Sequence, residues 1–135
     1  MYQVVWFKRD LRVEDHQPLV EAARRGPVLP LYIVEPEVIG AQDYDPSHWS
    51  FVRESLVELR EALAQLGQPL VVRVGEAVEV LRSLPVAHIW AHEETGNWIT
   101  YQRDRRLRRW AKETNIPLTE FPASGVVRRL ASRDG

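Results

Sequence analysis

The sequence predicts an α/β domain, a doubly wound, Rossmann-like fold with a five-stranded parallel sheet and helices on both faces. Two observations carry this prediction. Five short apolar runs alternate along the chain with helical segments, and these runs are nearly continuous rather than interrupted by polar residues. Strands of this kind are buried on both faces, as in parallel sheets. With right-handed crossovers we expect the strand order 3-2-1-4-5 and a ligand crevice at the carboxyl ends of strands 1 and 4.

The first third of the chain is predicted to hold two strands, a short helix and a loop. Residues 2–7 form strand 1, residues 16–25 a short helix, and residues 28–34 strand 2. Residues 35–47 contain two prolines and a glycine without periodicity, so they predict a long surface loop.

An amphipathic helix follows, because apolar residues recur at spacings of three and four and so share one face. These residues are Trp49, Val52, Leu56, Leu59, Leu63 and Leu66. Gly67 is a typical residue to end such a helix.

The remaining elements continue the alternation. We predict a strand over residues 69–74, a helix over 76–84, a strand over 86–91, a basic helix over 98–114 and a strand over 116–121. No element is predicted beyond residue 122. Trp6, Trp49, Trp90 and Trp110 fall at positions that favour core packing.

Composition excludes several classes of protein. No apolar run approaches the roughly 20 residues that span a bilayer, and the first residues lack the layout of a signal peptide. We therefore expect a soluble, cytoplasmic protein. The chain has no cysteine, which excludes a disulfide framework, a thiolate nucleophile and a cysteine-ligated metal centre within these residues.

Known nucleotide and hydrolase motifs are also missing. The turn after strand 1 reads K-R-D-L-R-V-E-D, without the glycines of a dinucleotide-binding turn. Neither a phosphate-binding G-x-x-x-x-G-K-[ST] loop nor a G-x-S-x-G elbow occurs. A nucleotide-binding α/β protein therefore stays only as an alternative.

Charge is distributed unevenly along the chain. Residues 103–135 contain nine Arg or Lys against four Asp or Glu, whereas residues 1–102 contain nine against fifteen. The segment R-D-R-R-L-R-R-W resembles a nucleic-acid patch on charge alone, but Asp104 and Glu113 weaken that interpretation. A solvated or domain-facing helix is favoured, with slight, salt-dependent DNA affinity resting on Arg105, Arg106, Arg108 and Arg109.

Charged side chains are predicted to flank the crevice. Lys8, Arg9, Asp10 and Arg12 follow strand 1 directly. An ion network within the chain or with a neighbouring domain is the favoured interpretation, and an anionic ligand is the alternative.

The turn after strand 4 offers further candidates. His92, Glu93 and Glu94 are adjacent, and because adjacent residues rarely point at one ion, we predict no metal site. Trp98, at a helix start, could pack or stack on a flat heteroaromatic ring.

Four segments, in order, resemble the DNA photolyase and cryptochrome family. The opening V-V-W-F-K-R-D-L-R-V-E-D-H-Q-P-L is similar to the specific signature that starts these proteins. W-S-F-V-R-E-S-L-V-E-L, G-Q-P-L-V-V-R-V-G and Y-Q-R-D are individually weaker matches. The resemblance extends over essentially the whole chain and implies an N-terminal α/β domain over residues 1–122, with residues 123–135 beginning the linker to a helical domain.

The resemblance implies a light-harvesting role without catalytic residues. In the family this domain can hold an antenna pigment, methenyltetrahydrofolate or an 8-hydroxy-deazaflavin, which passes excitation to FAD in the helical domain. The turn H-E-E-T-G-N replaces the family's N-x-D-Y-E type sequence and is closer to cryptochromes of the DASH type.

For a folate the resemblance points to Glu93, Glu94, Asn97 and Trp98. For a deazaflavin it points to Val34, Glu35, Pro36 and His48, where His48 replaces the arginine of many members. Lys8, Arg9, Asp10, Arg12, Arg103 and Asp104 are assigned to the interface with the helical domain.

The same resemblance implies partners outside these residues. We expect a monomer whose full-length form is a deoxyribodipyrimidine photo-lyase or a cryptochrome, acting on damaged DNA through its other domain and making no membrane contact. A pigment-free docking domain is the alternative.

Overall fold

Five parallel strands form one sheet in the order β3-β2-β1-β4-β5, which confirms the predicted topology. The structure is a computed structural model, and it describes residues 1–40, 46–94 and 96–122. The strands are β1 (Tyr2–Phe7), β2 (Val28–Val34), β3 (Val71–Val74), β4 (Val86–His92) and β5 (Leu118–Phe121).

Five helices connect the strands within the described residues. They are α1 (Gln17–Arg25), α2 (Pro36–Ile39), α3 (Pro46–Gln65), α4 (Ala77–Arg82) and α5 (Trp98–Glu113). Among the same residues, no helix combines the length and apolar character needed to cross a bilayer.

The sheet separates two hydrophobic clusters, because successive side chains on a strand point to opposite faces. On one face Val4 and Trp6 pack with residues of α4 and α5, including Leu81 and Leu107. On the other face Val5 and Phe7 pack with residues of α1 and α3; these include Leu19, Leu59 and Leu63. Helices therefore cover both faces, as predicted for a doubly wound fold.

Side chains fix the starts of the helices that follow β1 and β4. His16 precedes α1, and its Nδ1 accepts the Leu19 backbone N–H at 3.2 Å. Asn97 precedes α5, and its side-chain oxygen accepts the Thr100 backbone N–H at 3.0 Å. Each cap satisfies a backbone donor that the helix itself leaves unpaired.

The prediction of a surface loop over residues 35–47 is wrong, because two helices begin within this range. The short helix α2 begins at Pro36, whose fixed φ suits the first helical turn, and α3 already begins at Pro46. Glu35 is only 7% exposed, so it is not a surface residue. Residues 41–45 lie outside the described residues.

Fewer apolar side chains of α3 are buried than its periodicity predicts. Val52, Leu59 and Leu63 are buried, Trp49 and Leu56 are half-buried, and Leu66 is 59% exposed. Leu66 follows the last residue of the helix, so helical periodicity no longer fixes its direction.

Candidate functional site

A pocket of about 820 Å³ lies at the carboxyl edge of the sheet, between the ends of β1 and β2 and the turn that joins β4 to α5, and against α2, α3 and α5. The ends of β1 and β2 and one face of α3 supply its apolar lining, which includes Trp6, Phe7, Tyr32, Ile33, Phe51 and Val52. The winding of the sheet reverses between β1 and β4. The pocket therefore lies at the crevice that the topology predicts.

Arg103 lines this pocket and binds three carboxylates. Its Nη1 donates to Glu35 Oε1 at 2.8 Å, its Nε donates to Asp104 Oδ1 at 3.1 Å, and its Nη2 donates to Glu94 Oε1. Burial alone would lower the pKa of Arg103, but the charges of Glu35, Glu94 and Asp104 raise it above its usual range. The guanidinium stays charged and ties the end of β2, the β4–α5 turn and α5 together.

Trp6 lies beside two of these cations. Lys8 Nζ is 4.5 Å from the centre of the Trp6 ring, and Arg103 Cζ is 4.9 Å from it. Lys8 Nζ also donates to the His92 backbone oxygen at 3.1 Å and lies 3.5 Å from Asp104 Oδ1. Cation–π contacts and ion pairs thus hold the Trp6 face of the pocket in place.

Glu35 carries the one buried side-chain oxygen that has no hydrogen-bond partner among the described residues, its Oε2. Burial, together with the nearby charges of Glu94 and Glu37, raises the pKa of Glu35 to about 7, although Arg103 opposes this. Near neutral pH the carboxyl group can therefore either donate or accept a hydrogen bond at the pocket wall.

A second buried cluster lies where β1 and β4 end. Asp10 Oδ2 accepts hydrogen bonds from His16 Nε2 at 2.5 Å and from His92 Nδ1 at 2.8 Å, and Asp10 Oδ1 accepts the Lys8 backbone N–H at 2.8 Å. Burial alone would raise the pKa of Asp10, but the bonds to His16 and His92 outweigh it and hold the pKa well below its usual range.

These three side chains could be arranged around a metal ion, although they are not the adjacent residues weighed from the sequence. The hydrogen bonds already account for their positions: His16 Nδ1 accepts a backbone N–H as the cap of α1, so its Nε2 carries the proton that it donates to Asp10. The cluster locks the loop after β1 onto the end of β4.

The two sets of predicted pigment contacts meet in one pocket. Glu94 and Asn97, from the folate set, line it together with Glu35 and His48, from the deazaflavin set. Four other predicted contacts lie outside the lining: Val34, Pro36, Glu93 and Trp98. Trp98 is 68% exposed and stacks on Tyr101, with ring centres 5.6 Å apart.

The predicted interface residues divide into buried and exposed groups. Arg103 and Asp104 are 2% and 3% exposed, inside the network described above. Arg9 is exposed and pairs with Glu94 at 3.2 Å, whereas Arg12 donates to the backbone oxygens of Glu14 and Asp15 at 3.0 Å. Arg12 therefore stabilises its own loop.

Sequence reasoning missed the pairing of Glu35 with Arg103, which are 68 residues apart. One signal could have found it: Glu35 directly follows the apolar run of β2, at the edge where the crevice was predicted. The role of Trp6 as pocket lining carried no such signal, since a tryptophan inside a buried strand is typical of a core.

Known proteins resemble this chain over most of its length. The sequence model of the DNA photolyase family matches residues 3–131. Cryptochrome DASH of Gloeobacter violaceus is 33% identical over 135 residues, covering 92% of this chain and 27% of that protein. Cryptochrome-1 of Arabidopsis thaliana is 37% identical over 128 residues, covering 89% of this chain and 18% of that protein.

The fold has the same relatives. The crystal structure of an archaeal photolyase from Sulfolobus tokodaii, which contains two FAD molecules, superimposes with a TM-score of 0.81 at 29% identity. The match covers 90% of this chain and 29% of that one. This chain thus spans less than a third of the length of each of these three relatives.

Proposed function

This chain belongs to the DNA photolyase family, and we propose that it binds an antenna pigment in the pocket at the carboxyl edge of its sheet. It corresponds to the N-terminal α/β domain of photolyases and cryptochromes. When bound, the pigment would supply the absorption of near-ultraviolet or blue light and pass the excitation to FAD in a following helical domain. The chain's own residues bind and orient the pigment and exclude water.

The observation that carries this proposal is the Oε2 of Glu35, which has no hydrogen-bond partner in the described part of the chain and lies in the wall of an aromatic pocket. A buried polar atom without a partner costs about 1–3 kcal/mol, so a ligand that satisfies it gains affinity and orientation. Ligand pockets typically hold about 300–1,000 Å³, and this one, at about 820 Å³, is large enough for a fused-ring pigment.

Pterins, deazaflavins and flavins share the chemistry that Glu35 can recognise. Each carries a pyrimidine ring whose edge presents N–H and C=O groups side by side. A carboxyl group with a pKa of about 7 can accept from the first or donate to the second. Phe51, which is exposed, and Tyr32, which is half-buried, offer aromatic surface for the flat faces of the rings.

Methenyltetrahydrofolate remains the first candidate, contacted from Glu94 and Asn97 as well as Glu35, and an 8-hydroxy-deazaflavin is the second, contacted from Glu35 and His48. Because these residues line one pocket, the two pigments would compete. A flavin is a third candidate, since the Sulfolobus tokodaii photolyase contains two FAD molecules, which imply a novel light-harvesting cofactor in that protein.

We extend the proposal to the whole protein as follows. Residues 1–122 form the pigment-binding domain, and residues 123–135, which lie outside the described residues, begin the linker to the FAD-binding domain. The full-length protein acts as a deoxyribodipyrimidine photo-lyase or as a cryptochrome, as a cytoplasmic monomer that meets damaged DNA through its other domain.

A fluorescence titration with methenyltetrahydrofolate, an 8-hydroxy-deazaflavin and FAD tests the proposal. Ser55 lines the pocket from α3, so Ser55→Trp should fill it and weaken pigment binding about tenfold or more. Ser50→Trp, on the same helix outside this pocket, is the matched control. Trp98→Ala should retain binding if the pigment lies in the pocket and lose it if the pigment stacks on the outer turn.

Saturable binding lost in Ser55→Trp and kept in Ser50→Trp would support the pocket. Equal binding by both variants would move the site elsewhere. No binding of any of the three pigments would leave a domain that docks its partner without a pigment.

A further inference from the structure

The outward side of α5 carries two aromatic and three basic side chains in one stripe. These residues, called the α5 outer face below, are Trp98, Tyr101, Arg105, Arg109 and Lys112. Their spacings of three and four place them one above another along the helix. All five are exposed, and the stripe extends over about 21 Å at the helical rise of about 1.5 Å per residue.

The aromatic end presents flat surface to solvent. Trp98 is 68% exposed and Tyr101 is 51% exposed. Their rings stack at 5.6 Å, and Arg105 Cζ lies 5.9 Å from the centre of the Tyr101 ring. Stacked aromatic rings beside a guanidinium are the usual platform for an unpaired nucleic-acid base.

The basic end differs from its neighbours on the same helix. Arg106 pairs with Glu37 and Glu76, and Arg108 pairs with Glu120. Arg105, Arg109 and Lys112 make no ion pair with any residue that the structure describes. Asp104, which weakened the nucleic-acid interpretation of the sequence, is 3% exposed on the inner side of the helix.

We propose that the α5 outer face binds single-stranded nucleic acid. Phosphates contact Arg105, Arg109 and Lys112, while bases stack on Trp98 and Tyr101. A duplex would offer the phosphates but keep its bases stacked within the helix, and an acidic peptide would offer only charge. Two of the four arginines first assigned to DNA contact, Arg106 and Arg108, are thereby excluded. Glu113 borders the stripe and limits the affinity.

Fluorescence anisotropy of the 135-residue chain with a labelled oligothymidylate of about eight nucleotides tests this proposal. With three phosphate contacts, log K should fall against log salt concentration with a slope of about −2, since each contact contributes about 0.7 on single strands. Arg105→Gln and Arg109→Gln should each make the slope shallower by about 0.7. Arg108→Gln, the same substitution at a paired arginine, should leave the slope unchanged.

A second measurement tests whether bases stack on Trp98 and Tyr101. The double variant Trp98→Ala and Tyr101→Ala should bind about fivefold or more weakly with the salt slope unchanged. Because the substituted side chains are exposed, circular dichroism should show the same folded content in every variant.

The proposal is wrong if no binding is measured at low salt. It is equally wrong if the double aromatic variant binds like the wild type, if Arg108→Gln matches Arg105→Gln, or if a duplex or polyglutamate binds as well as the single strand. These outcomes do not depend on pigment binding, because none of the five side chains lines the pocket.

Discussion

Glu35 is buried, bonds to Arg103 through one oxygen and, among the described residues, has no partner for the other, so its protonation should be linked to folding. Its pKa is raised from the usual 4.5 to about 7. The folded state therefore binds the proton more tightly than the unfolded state. The stabilisation that Glu35 gives through this proton is fully present below about pH 4.5, falls as the pH rises towards 7, and is lost above pH 7. The free energy of unfolding should change by up to about 3 kcal/mol over this range.

We predict that Glu35→Gln flattens the pH dependence of the free energy of unfolding between pH 5 and 8. Urea denaturation at several pH values measures this free energy for the wild type and the variant. Glu58→Gln, at an exposed position on α3, is the matched control for the loss of one carboxyl group. A wild-type slope in Glu35→Gln would show that Glu35 titrates alike in the folded and unfolded chain.

At the scale of elements, periodicity determined what could be predicted. All five strands and four of the helices follow from apolar runs and helical spacing, and their observed ends lie within about two residues of the prediction. The exceptions are local: α2 has only four residues, too few for a period, and β3 begins after Pro69, which lacks the N–H that a ladder needs.

The network around Arg103 could not be predicted in the same way. It joins Glu35, Glu94 and Asp104, and only the last adjoins Arg103 in sequence. Nothing in a local pattern states which carboxylates a buried guanidinium will bind. The reversal of the winding predicted that the crevice lies at the carboxyl edge of the sheet. The partners of Arg103, however, depend on how the loops after β2 and β4 fold over that edge.

Gly67 shows how a single residue ends an element. It lies at φ +78°, and the N–H of the following Gln68 donates to Leu63 O at 2.9 Å, the closing bond of a Schellman motif. No atom of residues 1–40, 46–94 or 96–122 lies within 4 Å of an added Cβ, so backbone strain is the main obstacle to a side chain there. Gly67→Ala should destabilise the domain by about 1 kcal/mol.

Gly67→Asn should lose less stability than Gly67→Ala, because asparagine tolerates this conformation better than alanine. Thermal unfolding of the two variants beside the wild type measures the difference. An alanine variant as stable as the wild type would mean that α3 ends by another route.

At the scale of the whole molecule, the doubly wound sheet gives α5 two distinct sides. Thr100 and Arg103 face the pocket, whereas Trp98 and Tyr101 face solvent. The buried side chains of α5, including Leu107 and Trp110, fix the phase of the helix between these two sides. One element can therefore serve the proposed pigment pocket and the proposed nucleic-acid surface without sharing a side chain.

The sheet also divides the hydrophobic core, which leads to a prediction about additivity. Ile89 belongs to the cluster under α4 and α5, and Leu63 to the cluster under α1 and α3. Ile89→Val should cost about 1 kcal/mol and Leu63→Ala about 3 kcal/mol, from lost burial and the cavities left behind. Because the clusters lie on opposite faces, the double variant should lose the sum within about 0.5 kcal/mol. Urea unfolding of the four chains gives the coupling energy, with an unchanged m-value as the control for two-state behaviour. A coupling energy well above 1 kcal/mol would contradict this independence. It would mean that packing changes pass through the sheet, so that a substitution under α3 also alters the packing of α5 beside the pocket.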